Sequence, residues 1–481
     1  MKADKAFGNL HSYLPAPQLQ NHWIFGADRL EEIFRANGES RLMECLLSHF
    51  RHVGWTYKRV FLGTPAIRTA DPANIAAILS SNFKDFGYGR RREMTFPLLG
   101  DGIFSQDGAA WKQSRELLRP QFHCREYADL EIFRDSCDNL LDNISASCGV
   151  VDLQPLFFRL TLDVTTAYLF GESVGSLKAE EKAREQTFED AFNIAQEYIS
   201  RRFKLPQLYW LSEGKEFRDA CGKVHSFADE IINRNLSHKI VEGDRSKSFF
   251  LEAMAKKSPN ETALRSQIIN ILIAGRDTAA CLLSWVFFLL VRHPQVLEKL
   301  QDEISKLDSN AILTRSSLRD MNYLQNVLKG TLRLYPPVPF NERNALCATT
   351  LPTGGGPDGT SPVLIPKGSS VAYSVYAMHR RPDLYGMDAE LFRPERWDEK
   401  LPMSQNEINS KWGYLPFNGG PRVCLGMDFA LTEAAYTVVQ IIQKFPTIKL
   451  PKGEHVELLG VEKQKITMVL SIKGGCNVEL R

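Results

Sequence analysis

The stretch Pro416-Phe417-Asn418-Gly419-Gly420-Pro421-Arg422-Val423-Cys424-Leu425-Gly426 decides the reading of this chain. Glycine and proline on either side of one cysteine let the backbone curl so that amide N–H groups point at the sulfur, and helical periodicity starts immediately afterwards. Both features stabilise a thiolate, the form in which cysteine acts as nucleophile or metal ligand. Phe417 is placed to shield one side of that sulfur from water. Gly426 leaves the following helix room to lie close to a flat group, and Arg422, two residues before the sulfur, is placed to pair with a carboxylate. A buried cysteine in a tight turn is the plain alternative; it explains the sulfur but not the residues around it.

Working outward, the longest apolar run, Ile268 to Val291, approaches membrane-spanning length but carries Asn270, Arg276 and Asp277 inside it. A charge pair at the midpoint of a lipid-exposed helix is expensive, so this run reads as a helix through the core of a large domain. Within it, Ala274-Gly275-Arg276-Asp277-Thr278 joins two charges to a helix-interior glycine that costs about 1 kcal/mol relative to alanine. Gly275 would let a ligand approach the backbone. The Thr278 hydroxyl, four residues after Ala274, is placed to bond that carbonyl or turn toward a bound molecule, opening the helix locally. Asp277 is positioned to relay protons from solvent. The competing reading is a helix kink with a surface-reaching ion pair.

The rest of the chain is consistent with one large domain over residues 1–481. Its 481 residues are 43% apolar and 24% charged, with no linker, repeat or low-complexity stretch. A net charge of +2 gives no general attraction to nucleic acid. Nine widely scattered cysteines without a Cys-x-x-Cys pair suit a reducing compartment and disfavour zinc. The segment Met1 to Leu30 has no apolar run resembling a signal peptide or anchor.

Periodicity predicts a helix over about 40–52, strands at Arg59–Leu62 and Ala66–Thr69, and a helix opened by Asp71-Pro72. From Trp111 to about Ser305 the pattern is helical, with breaks near Gly149, Pro206 and the polar run Glu242 to Lys247. Short strands are expected at Val363–Ile365, Ser370–Tyr376 and Ile466–Ile472, and a helix at Leu425–Lys444 stopped by Pro446. The fold class is mainly α with a minor β portion.

Taken together, these stretches resemble the cytochrome P-450 superfamily. Phe417-x-x-Gly420-x-Arg422-x-Cys424-x-Gly426 is similar to its haem-binding signature, and Ala274-Gly275-x-Asp277-Thr278 to its oxygen-activation signature. Phe392-Arg393-Pro394-Glu395-Arg396-Trp397 is similar to the segment upstream of the cysteine. The resemblance implies the cytochrome P-450 fold and haem b (iron protoporphyrin IX) held by Cys424, whose thiolate pushes electron density toward O–O cleavage. It implies catalytic roles for Thr278, Asp277 and Gly275, cofactor contacts from Phe417, Arg422 and Gly426, and propionate contacts from Trp111, Arg115 and Arg343.

Within the superfamily the chain is most similar to fungal microsomal hydroxylases of n-alkanes and fatty acids. The similar stretches are Gly100–Phe104 leading into Trp111, Glu116–Phe122, Leu351–Gly359 and Met378–Arg381. This implies a small apolar substrate, O2, an NADPH-dependent flavoprotein reductase as partner, and the cytosolic face of the endoplasmic reticulum. A polyketide or terpenoid intermediate of fungal secondary metabolism is the close variant that keeps the same chemistry. The chain begins about where the relatives' catalytic domain begins, so a cytosolic form or peripheral membrane contact is also compatible. Arg90-Arg91-Arg92 reads as a solvated basic turn before it reads as a binder of a substrate carboxylate.

One position departs from the pattern. In this superfamily a glutamate three residues before Arg333 joins Arg333 and Arg396 in a buried structural network; here the residue is Gly330. Removing one member of such a network costs about 3–5 kcal/mol, because the remaining charges stay buried. The expectations are a rescue by water or by another acid such as Glu342 or Glu395, a sequence error, or a haem-binding or haem-free protein without turnover.

Overall fold

Asp71-Pro72 opens a helix as its sequence requires. The Asp71 carboxylate accepts from the backbone N–H of Ala73 and Asn74 (2.9 and 3.3 Å), and Pro72 takes the first helical position, where its missing N–H is no loss. The computed structural model describes residues 13–123, 130–147, 149–178, 182–242, 249–257, 260–307, 312–454, 456 and 462–481. Cys124, Cys148 and the polar run after Glu242 lie outside these residues. Contacts divide the chain into two units. The first is built from residues up to Gly89, Lys329–Cys424 and Val456–Ile466, and the second from Arg90–Leu328, Leu425–His455 and Thr467–Arg481. The units interleave along the chain, so no linker marks them in the sequence.

The first unit is organised by a five-stranded sheet. Strands β1 (Thr56–Phe61) and β2 (Thr64–Thr69) pair antiparallel. Further along the sheet come β3 (Phe86–Gly87), β4 (Phe340–Ala345) and β5 (Ser370–Ser374), in the spatial order β1-β2-β5-β4-β3. Phe86 lies opposite Ala345 and Gly87 opposite Asn344, so the register carries Tyr88, just past β3, toward Arg343 of β4. The strand expected over Ser370–Tyr376 stops at Ser374, whose hydroxyl accepts from Ala377 N–H (3.1 Å) and caps a short helix, Val375–Met378.

The second unit is mostly helical. Its elements include α1 (Gly108–Leu118), α2 (Leu153–Phe170), α3 (Lys182–Lys204) and α4 (Glu261–Arg292), then α5 (Asn322–Leu334), whose last residues belong to the first unit, and α6 (Met427–Lys444). Asn260 caps α4 by accepting from Ala263 N–H (2.8 Å). The most apolar window of α4 is 83% buried, so this run is a core helix, and Trp285 inside it donates to the Leu470 carbonyl (3.0 Å). Helix α3 ends before Pro206 and Gly149 opens a short strand, as the breaks predicted. The strand expected over Ile466–Ile472 is instead two, Gln464–Ile466 and Leu470–Ile472.

Candidate active site

Backbone geometry explains the composition of the cysteine loop. Gly420 has φ +64°, and a Cβ there would stand 1.9 Å from the Leu79 carbonyl oxygen, so no larger residue fits. A Cβ on Gly419 would meet the Trp412 ring at 2.6 Å. Asn418, also at positive φ, donates to the Arg422 carbonyl (3.2 Å) and accepts from the Tyr373 hydroxyl (3.1 Å). The Cys424 N–H donates to the Phe417 carbonyl (3.0 Å), closing the loop on itself.

The cysteines separate into two kinds. Burial pushes the thiols of Cys45, Cys137 and Cys221 up to about 12, and those of Cys281 and Cys476 up as well, which keeps them protonated and inert. Cys424 is exposed, although Arg422 two residues earlier is buried. Cys347 is exposed too, so what sets Cys424 apart is its place at the end of the glycine-shaped loop.

Charge gathers beside it. The Arg422 guanidinium lies 4.1 Å from the centre of the Tyr88 ring, and that of Arg343, 2% exposed, lies 4.5 Å from the same ring. Arg343 also donates to Asn341 Oδ1 (2.9 Å) and the Glu342 carbonyl (2.8 Å). Two arginines 79 residues apart in sequence thus share one tyrosine, which sequence reasoning did not select. Arg92 of the basic turn is held by Asp101 through two bonds (2.7 and 2.9 Å), which favours the plain reading of that turn.

In the second unit, Trp111 is buried and the Arg115 guanidinium lies 5.9 Å from its ring centre, one helical turn on. Gly426 stands just before α6, and a Cβ there would meet only the Phe122 ring, at 3.5 Å. In α4, Ala274, Gly275 and Thr278 are half-buried within the buried middle of the helix, and the Thr278 hydroxyl donates to the Ala274 carbonyl (2.7 Å). Gly275 also has a packing reason. A Cβ there would stand 2.4 Å from Thr165 Oγ1 of α2, so the glycine permits helix–helix contact.

Asp277 also differs from expectation. It is 1% exposed, burial pushes its carboxyl up, and Arg276 donates to it (2.9 Å), so it has no direct route to solvent. Arg276 reaches on to Glu189 of α3 (3.2 Å), and Glu189 to Arg159 (3.6 Å). The pair is neither a surface bridge nor a direct relay; it is the inner end of a charge chain leading outward.

Arg333 and Arg396 are 1% and 0% exposed. Asp388 answers Arg396 (2.7 Å), while Glu342 lies 3.8 Å from Arg68. Hydrogen bonds from Arg396, then Arg393, hold the Asp388 carboxyl down to about 2. Arg333 donates to the carbonyls of His379 (3.0 Å), Leu391 (2.8 Å) and Ala389. His379 donates from Nδ1 to the Arg333 carbonyl (3.1 Å) and accepts at Nε2 from Leu415 N–H (2.9 Å), tying α5 to the start of the cysteine loop. Neither Asp388 nor His379 carries a sequence signal that names its partner.

The first unit thus carries an exposed sulfur on a glycine-shaped loop and buried guanidinium groups suited to carboxylates, and the second carries a half-buried threonine in a core helix. Residues 17–469 match the family Cytochrome P450. The chain belongs to that family: it is a monooxygenase whose cofactor is haem b and which draws on a redox partner and O2. A protein named Cytochrome P450 from Arthroderma benhamiae is 42% identical over 100% of this chain and 94% of its own length. Cytochrome P450 52A5 of Candida maltosa is 44% identical over 86% of this chain and 80% of its own. The crystal structure of the cytochrome P450DA heme domain superposes with a TM-score of 0.78 over 98% of both chains at 22% identity, which supports the fold.

Proposed function

We propose that this enzyme hydroxylates a long apolar chain, a fatty acid or n-alkane, at or near its end. The observation that carries the proposal is the similarity to the 52A enzymes of Candida, read with the resemblance of residues 100–122 and 351–359 to alkane and fatty-acid hydroxylases. A polyketide or terpenoid intermediate is the variant that keeps the same chemistry.

In this reading both units act as one catalytic domain. Cys424 holds the haem iron, and the haem supplies oxygen activation when bound. Arg343, Arg422, Trp111 and Arg115 hold its carboxylates, with Phe417 and Gly426 at its faces. Thr278 holds a proton at Oγ1, and Asp277, one residue before it and with its carboxyl pushed up by burial, is the acid that would replenish that proton. Gly275 sets the closeness of α2 and α4, and Arg333 and Arg396 hold the segments upstream of the sulfur. NADPH-derived electrons arrive through a flavoprotein reductase, and the setting is the cytosolic face of the endoplasmic reticulum.

Two spectra test this. The reduced protein with carbon monoxide is expected to show the strongly red-shifted Soret band of a thiolate-ligated haem, lost in Cys424→Ser; a band typical of a neutral ligand in the wild type would refute the ligand assignment. Titration of the ferric protein with dodecanoic acid, hexadecane and polyketide-like ligands is expected to displace bound water with the first two. A response to the polyketides alone would move the substrate to the second class.

A further inference from the structure

Gly330 leaves an unusual arrangement behind it. Arg333 lies three residues on, on the same helical face. A Cβ on Gly330 would stand 3.1 Å from the Phe392 ring and 3.9 Å from Trp397 Nε1. Among the described residues, Arg333 Nε, Arg396 Nε and Trp397 Nε1 are buried donors with no acceptor. Buried N–H groups are almost always satisfied, so three within one cluster need a reason.

Charge points the same way. Asp388 serves Arg396 (2.7 Å) and Arg393 (2.9 Å), Arg393 also meets Glu399, and Glu390 serves Arg380 (3.2 Å) and Arg51. Arg333 receives only the carbonyls of His379, Ala389 and Leu391, while its guanidinium lies 5.1 Å from the Tyr385 ring. Carbonyl dipoles accept from its two Nη atoms without cancelling its charge, and a buried uncompensated cation is strongly unfavourable.

We infer that a small monovalent anion of chloride size binds beside Gly330, accepting from Arg333 Nε, Arg396 Nε and Trp397 Nε1. Phe392 lies against the glycine, which favours an ion of chloride size over a larger free anion. The anion is a structural ligand of the first unit, and the inference is independent of substrate and turnover.

The haem-loaded protein is dialysed into gluconate buffer and titrated with chloride at constant ionic strength while Tm is followed. A saturable rise of roughly 3 °C is expected at about 100-fold over Kd. Crystals soaked in bromide are expected to show an anomalous peak beside Arg333 Nε and Trp397 Nε1. Gly330→Glu, which supplies the carboxylate covalently, is expected to abolish the chloride response; should it not fold, Trp397→Phe removes one donor and is expected to weaken chloride severalfold. A Tm indifferent to the exchange of gluconate for chloride, a bromide map without that peak, or a chloride response unchanged in either variant overturns the site.

Discussion

Arg276 and Arg333 are each 1% exposed, yet one is ringed by carboxylates and the other by carbonyls. Arg276 in α4 meets Asp277 and Glu189, and its guanidinium lies about equally far from the Phe158 and Phe192 rings (4.9 and 5.1 Å). Among the described residues Arg333 at the end of α5 forms no ion pair with an acid, and burial together with the neighbouring Arg396 pushes it down to about 9. Both arginines are held, but by different means. At Arg276 a side-chain charge is cancelled by another side-chain charge. At Arg333 the backbone of three successive turns is arranged around a cation, so the charge there organises the chain more than it is balanced by it.

The largest effect should come from breaking the balanced pair. Arg276→Met leaves Asp277 buried and uncompensated and is expected to lower stability by about 3–5 kcal/mol, read as the shift in urea midpoint at unchanged slope. The double variant Arg276→Met, Asp277→Leu should recover most of it, because both charges leave together. A single substitution costing under about 1 kcal/mol would mean that the two residues do not pair. Asp388→Asn attacks the other region and should be milder. Its carboxylate is partly exposed, so water replaces some of what Arg396 and Arg393 lose, and a loss of about 1.5–3 kcal/mol is expected by the same measurement. Equal losses at the two sites would erase the distinction between them.

These two regions also show what the sequence made legible. The buried arginines at 276, 333 and 396 and the unusual glycines at 275 and 330 were each readable, because a charge or a helix-interior glycine in an apolar context needs a local reason. Their partners were not. Glu189 is 87 residues from Arg276, Thr165 is 110 residues before Gly275, and Tyr88 joins Arg343 and Arg422 only through the register of β3 against β4. Asp388 lies eight residues from Arg396 in an irregular segment, where spacing has no period to read. The element class followed from periodicity, and the haem ligand from the local chemistry of its loop. The compensation at Gly330 required knowing which carbonyls fold back on Arg333.

Gly330→Glu sharpens the comparison by turning the second region into a copy of the first. Replacing a helix-interior glycine is favourable by about 1 kcal/mol, and charge-assisted bonds to Arg333 and Arg396 add to it, against a small displacement of Phe392. A net gain of about 2 kcal/mol in chloride-free buffer is expected, with slower haem loss to apomyoglobin. A loss of stability would show that the Phe392 ring over Gly330 holds the segment better than a carboxylate would.

The smallest effect concerns the link between Arg333 and the cysteine loop. Burial, then the Arg333 charge, pushes His379 down to about 3, so it is neutral in the folded protein, as its acceptance of the Leu415 N–H requires. In the unfolded chain its value returns to about 6.5. The unfolded state therefore takes up the proton first, and the contribution is full above the unfolded value and lost as pH falls toward the folded one. Between roughly pH 7.5 and 5.5 this amounts to about 1.4 kcal/mol of lost stability. His49, His225 and His293 are pushed down by burial as well and add to the slope, so the informative quantity is the difference from His379→Asn, which keeps a donor and an acceptor without a titrating ring. Asp388 titrates in a separate window: its folded value of about 2 lies below the unfolded one, so its contribution is intact until pH drops below about 4. Parallel pH–stability curves for wild type and His379→Asn above that point would mean that His379 does not carry the join between α5 and the sulfur's loop in its neutral form.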